Sequence, residues 1–152
     1  MGNILNKKDH EEIKTRIADL KRDDLPIWGK MNVGEMLCHT ADQVKLALGE
    51  IKAEDRSKFL SRTLVKRLIL MGMKAPKGKV ETMPEVNPHK LGSKPVNFDS
   101  DRDYLLRKIE DFINAPGPKE PIVHPVFGVL TKKQWGKLIY THLDHHLSQF
   151  GS

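Results

Sequence analysis

Thr131-Lys132-Lys133-Gln134-Trp135-Gly136-Lys137-Leu138-Ile139-Tyr140-Thr141-His142-Leu143-Asp144-His145-His146-Leu147-Ser148-Gln149 reads as one amphipathic helix. Thr131 with Gln134 three positions on is a capping box, which opens a helix by satisfying its first free N–H groups. With Trp135 at zero and about 100° per residue, Leu138 falls at about 300°, Ile139 at 40°, His142 at 340°, His146 at 20° and Gln149 at 320°. The stripe that faces a core therefore carries two imidazoles and an amide. Asp144 points the opposite way, and His145 sits on the edge of the stripe.

Helical signals continue upstream. Asp9 with Glu12 reads as a capping box, followed by His10, Ile13, Ile17 and Leu20 at helical spacing, with an end near Asp23 ahead of Pro26. Asn32 with Glu35 opens a second helix, which runs to Leu48 and stops at Gly49. Residues 56–73 form a further amphipathic stretch. A long irregular segment over 75–98 holds Pro76, Pro84, Pro88 and Pro95. Ser100 or Asp101 starts another helix with Leu105, Ile109, Phe112 and Ile113 on one face, ended by Ala115-Pro116-Gly117-Pro118. Only 122–123 and 127–130 hint at strand. An all-α helical bundle follows, with an additional helix and a Pro-rich crossover on its surface. The 152 residues suit a single domain over 1–152.

Composition narrows the function classes. No run approaches the roughly 18 apolar residues of a membrane helix, so no membrane partner is expected. A single cysteine, Cys38, excludes an internal disulfide framework and a Cys-rich zinc module. No signal-like stretch begins the sequence, and Asn6 stands where a myristoylation signal has Ser or Thr. A cytoplasmic location is expected.

The seven histidines are the chemical feature. Burying His142 and His146 without partners costs about 1–3 kcal/mol per polar group, so something must satisfy both. Their i, i+4 spacing sets two imidazoles side by side, as a helix offers two ligands to one metal ion. The alternative is a pair of core histidines bonded to backbone or buried water. His39, in the second helix at the border of its apolar face, is the candidate third ligand. Three neutral imidazoles suit a divalent first-row ion such as zinc or nickel and leave one coordination position open. Gln149, one turn after His146, is placed to support the ligands or touch substrate, and Asp42 is placed to orient His39 or to lie on a solvated face. His145 is a neighbour of the site. His124, in His124-Pro125-Val126-Phe127-Gly128, either approaches the open position or bonds a turn backbone, the turn being favoured. Cys38 reads as a small buried or half-buried residue. His142 is followed by Leu143, so the general base of an H-E-x-x-H protease is missing.

These residues carry a resemblance. Trp28-Gly29-Lys30-Met31 through His39 resembles the approach to the second helix in DinB/YfiT-like proteins. His142-Leu143-Asp144-His145-His146-Leu147-Ser148-Gln149 resembles their final H-x-x-x-H-x-x-Q helix, with Leu147-Ser148 in place of the usual pair and His145 as an added imidazole. The resemblance implies a four-helix bundle of up-down-down-up type. It implies a divalent metal on one histidine of the second helix and two of the last, here His39, His142 and His146. It also implies a metal-dependent enzyme, members of known activity being thiol-dependent S-transferases and isomerases that use low-molecular-weight thiols. An S-transferase or a hydrolase is expected here, and the basic segment 52–79 would attract an anionic small-molecule substrate or the thiol. DinB-like proteins are often dimers, and Leu64, Leu68, Met71 and Met73 could supply a homodimer patch.

Two other readings stay open. Residues 52–79 hold nine Lys or Arg against Glu54 and Asp55, a local charge of +7 that exceeds the whole chain's +6. Such a basic amphipathic segment could bind nucleic acid or another anion, meeting phosphates or an anionic membrane surface. No nucleic-acid motif and no aromatic interleaving support it. The third reading is a non-catalytic bundle whose histidines are structural.

Overall fold

The computed structural model describes residues 2–73, 82–117 and 120–152 and is mostly helical. The described residues form helices α1 (Lys7–Asp19), α2 (Val33–Leu48), α3 (Lys66–Leu70), α4 (Phe98–Asn114) and α5 (Lys132–Gln149). A π-helical turn, Ser61–Val65, runs directly into α3. A 3-10 turn, Pro84–Val86, lies between α3 and α4. Strands β1 (Val123–His124) and β2 (Gly128–Val129) form a small antiparallel hairpin ahead of α5.

Local capping explains where the helices begin. The Asn32/Glu35 and Thr131/Gln134 capping boxes are both formed, and Gly49 closes α2 in the left-handed conformation at φ +77°. Two expected starts are corrected. α1 is capped by Asn6, whose side chain accepts from Lys8 and Asp9, so no Asp9/Glu12 box forms; Asp9 instead accepts from the Asn3 N–H. α1 also ends at Asp19 rather than near Asp23. α4 begins at Phe98, because Asn97 caps it while Asp101 turns back to accept from Val96 and Asn97. An Asx side chain competes for these N–H groups wherever it precedes the apolar run, and Asn6 and Asn97, upstream of the expected caps, take them.

α2 packs against α4 and α5, and α1 against α4 and α5. Ile13, Ile17, Met36, Leu37, Val44, Leu105, Ile109, Trp135, Ile139, Leu143 and Leu147 are fully buried in one cluster. Each contributes about 1.5–3 kcal/mol of burial, and truncating one such as Leu105 to Ala costs about 2–5 kcal/mol. Arg16 fastens α1 to the far end of α5. Its guanidinium donates to Asp144 Oδ1 at 2.9 Å and to the Ser152 carbonyl at 2.8 Å. The end of α5 that carries the histidines is therefore held from outside, by the face where Asp144 was expected.

The expected Pro-rich crossover is partly described. Residues 74–81 lie outside the described residues, as does Pro118 of the segment that ends α4. The remainder, 82–97, lies along α2 and contributes a buried Val86 to the core.

Candidate metal centre

α2 and α5 bring three imidazoles together. One ring nitrogen each from His39, His142 and His146 lies within 4.8 Å of the others. His39 and His146 are buried, at 4% and 7% exposure, and His142 is half-buried. The ring centroids are 4.6–4.8 Å apart in tilted and edge-on pairs. His39 was expected at the border of its helix face. It is instead fully inside, because the 82–97 segment covers that side of α2.

The partners of the outer nitrogens settle the protonation of two rings. His39 Nδ1 lies 2.7 Å from the Val86 carbonyl, which can only accept. His39 Nδ1 therefore carries the proton, and Nε2 keeps its lone pair. Gln149 Nε2 donates to the Trp28 carbonyl at 2.7 Å, which fixes the orientation of the amide. Gln149 Oε1 then faces His146 Nδ1 at 2.8 Å, so Nδ1 again holds the proton and Nε2 the lone pair. His142 Nε2 lies 3.0 Å from His39 Nε2. With His39 Nε2 bare, a metal-free His142 donates its Nε2 proton across that contact.

Burial holds all three rings neutral. It lowers His146 to about 3, and it lowers His39 below the usual imidazole value, the Val86 bond opposing the shift. His142 falls well below that value through burial first and then the neighbouring imidazoles. Neutral imidazole is the ligand form, so the cluster needs no deprotonation to bind a cation.

The donor set suits a divalent ion. Nitrogens bound at about 2.0–2.1 Å in a tetrahedral site sit roughly 3.4 Å apart. The His39–His142 contact, at 3.0 Å, is already near that value, and no pair of ligand atoms, all within 4.8 Å, has more than about 1.4 Å to close.

The surroundings explain the other candidate residues. Gln149 supports His146 directly. Gly29 makes that possible: at φ +89°, a Cβ there would stand 2.2 Å from Gln149 Nε2. His145 meets His146 edge-on at 5.1 Å and Trp28 at 6.1 Å, and its nitrogens are not in the three-way group. His124 bonds the turn: its Nδ1 accepts from the Val126 and Phe127 N–H groups, and its ring stacks on Phe127 at 4.6 Å.

Asp42 is corrected on two counts. It does not orient His39, and it is not solvated, being 1% exposed. It accepts from Ser93 N at 2.6 Å, Ser93 Oγ at 2.7 Å and Lys45 Nζ at 2.9 Å. Asp42 thus pins the same segment whose Val86 carbonyl reaches His39. Neither Val86 nor Ser93 was legible beforehand, since one acts through a backbone carbonyl and the other sits in a Pro-rich loop. Cys38 is buried as expected, and burial pushes its thiol up to about 12, so it stays protonated and unreactive. A cavity of about 470 Å³ between the starts of α2 and α4 is lined by no histidine.

Residues 3–152 match a family described only as proteins of unknown function, DUF1569. The chain belongs to that family. No curated protein and no solved structure matches it. The family name carries no activity, so the chemistry rests on the three imidazoles. The tie from Trp28 through Gln149 to His146 links the two segments on which the DinB-like resemblance rested.

Proposed function

We propose that this DUF1569 member is a divalent-metal protein with His39, His142 and His146 as its ligands, zinc or nickel being the ions the donors suit. The observation that carries the reading is the convergence of three neutral imidazoles, two of them with Nδ1 tied outward. An outer hydrogen bond that fixes tautomer and ring orientation is the usual companion of a metal-ligating histidine. A buried structural imidazole also needs a partner for its N–H, so these bonds favour a metal through the two bare Nε2 atoms they leave, not by their presence alone.

Three protein ligands leave a position for a reactant. An ion held there supplies Lewis acidity toward a water or thiol. We therefore read the protein as a metal-dependent transferase or hydrolase built on a DinB-like four-helix bundle. It would be a single-domain, cytoplasmic enzyme of a small anionic molecule or low-molecular-weight thiol. Within it, Val86 and Gln149 hold the ligand rings, the buried Asp42–Ser93 contact holds Val86, and the apolar core excludes water from the inner side. The test is metal analysis of the purified protein beside His142→Ala. The wild type should carry about one equivalent and the variant far less; equal content in both sinks the proposal.

The structural-bundle reading has one observation on its side. The His39–His142 hydrogen bond at 3.0 Å satisfies both Nε2 atoms without a metal. The basic-segment reading is weakened, because Arg56 pairs with Glu85 at 2.6 Å, Arg62 with Asp55 at 2.7 Å, and Lys66 donates to the Val129 carbonyl. Lys74, Lys77 and Lys79 lie outside the described residues.

A further inference from the structure

Residues 59–73 present a face that the core does not use. Phe59 is 84% exposed, Leu60 59%, Leu64 53% and Met71 67%. The other side of the segment is fastened to the protein. Ile69 packs against the core, Lys66 Nζ donates to the Val129 carbonyl at 3.3 Å, and the Arg62 side chain lies against Gly128 of the hairpin. The orientation of the helix is thereby set, with four large apolar side chains left outward within 13 residues. Single exposed apolar residues are ordinary; a cluster of this kind on one short helix marks an interaction surface.

Charge selects what meets it. Residues 52–73 hold six basic side chains against Glu54 and Asp55, a net +4, and residues 74–81 add three lysines against Glu81 in the sequence. Arg56 and Arg62 are engaged in ion pairs, while Lys58, just ahead of the helix, and Arg67, on it, stand exposed. A second copy docking symmetrically would set two faces that each carry exposed Lys58 and Arg67 against one another, so like charge opposes it. Neither the cavity between the starts of α2 and α4 nor the small one beside Ile122 and Trp135 is lined by residues 59–73. A lipid surface that is both anionic and deformable complements the charge and the apolar side chains together.

We propose that residues 58–73 dock this protein on an anionic lipid surface. Phe59, Leu60, Leu64 and Met71 enter the headgroup boundary, and Lys58 and Arg67 lie against lipid phosphates. No described helix is long and apolar enough to cross a membrane, so the contact is with the surface only.

The full chain is floated with vesicles of phosphatidylcholine alone and with vesicles that also contain phosphatidylserine. Binding is expected to the serine-containing vesicles, to weaken with salt, and to be small on phosphatidylcholine. Phe59→Ser with Leu60→Ser should abolish it. Lys58→Gln with Arg67→Gln should lower it about twenty- to thirtyfold, at about fivefold per basic residue near such a surface. These side chains are exposed, so both variants should melt like the wild type and keep its metal content. The proposal thus stands or falls apart from the metal reading. Absence of vesicle binding at low salt overturns it. So does duplex DNA binding that survives the apolar substitutions while vesicles bind no better than DNA, which would make the face a phosphate-binding surface. A dimer that the apolar substitutions dissolve, with no vesicle binding, would assign the face to a second copy.

Discussion

Gln149→Leu separates a metal centre from a core that merely contains histidines. Gln149 is 4% exposed and makes two bonds, accepting from His146 Nδ1 at 2.8 Å and donating to the Trp28 carbonyl at 2.7 Å. Leucine fills similar space and makes neither bond. A buried N–H and a buried carbonyl are then left unpaired, at about 1–3 kcal/mol each, so the metal-free protein should lose roughly 2–6 kcal/mol. The more telling effect is on affinity. Removing the partner that orients a ligating histidine typically weakens metal binding 10- to 100-fold, or about 1.4–2.7 kcal/mol. Competition against a fluorescent zinc chelator measures that term, and urea melts of the metal-free proteins measure the first. A stability loss with zinc affinity within about twofold of wild type would refute the tautomer argument. Gln149 would then be a brace between α5 and the Trp28 segment and nothing more.

Other consequences are independent of that one. Ser93→Ala removes one of the three contacts to the buried Asp42 carboxylate and loosens the segment that presents Val86. Zinc affinity should fall several-fold in the same competition assay, with a stability loss of about 0.5–1.5 kcal/mol. His124 should make the fold acid-sensitive. Burial lowers its pKa from 6.5 to about 4, so the unfolded chain takes up the proton first. Its contribution is complete above about pH 6.5 and is lost as pH falls toward 4, a change of about 3 kcal/mol. Protonation of Nδ1 would also break its two bonds to the turn. His124→Gln should flatten that part of the pH–stability curve measured by denaturant titration. Cys38, with its thiol raised to about 12, should resist alkylation at pH 8 in the native protein and react rapidly in denaturant.

Periodicity made most of the architecture readable. The two capping boxes and Gly49 bound α2 and the start of α5 because each is a local device whose partner lies three residues away. The starts of α1 and α4 were misplaced where two Asx side chains competed for one set of N–H groups. The same periodicity put His142 and His146 on the core stripe, since the angle between residues on a helix needs no tertiary knowledge. His39 was harder. Its burial depends on 82–97, a segment with no regular pattern, and only the structure shows Val86 meeting its ring. Asp42 misled for a related reason: a carboxylate one turn from a histidine suggests an orienting pair, whereas its real partner, Ser93, is 51 positions away. Of the charge cluster, sequence counted the lysines and arginines correctly but could not show that Arg56, Arg62 and Lys66 are engaged while Phe59 and Leu60 are exposed.

Anomalous diffraction from crystals of the natively purified protein tests the central claim most directly. A metal centre gives a single strong peak enclosed by the Nε2 atoms of His39, His142 and His146, with both Nδ1 bonds to Val86 and Gln149 retained. A crystal grown with added zinc that shows no peak there, and keeps the His39–His142 hydrogen bond intact, would contradict it.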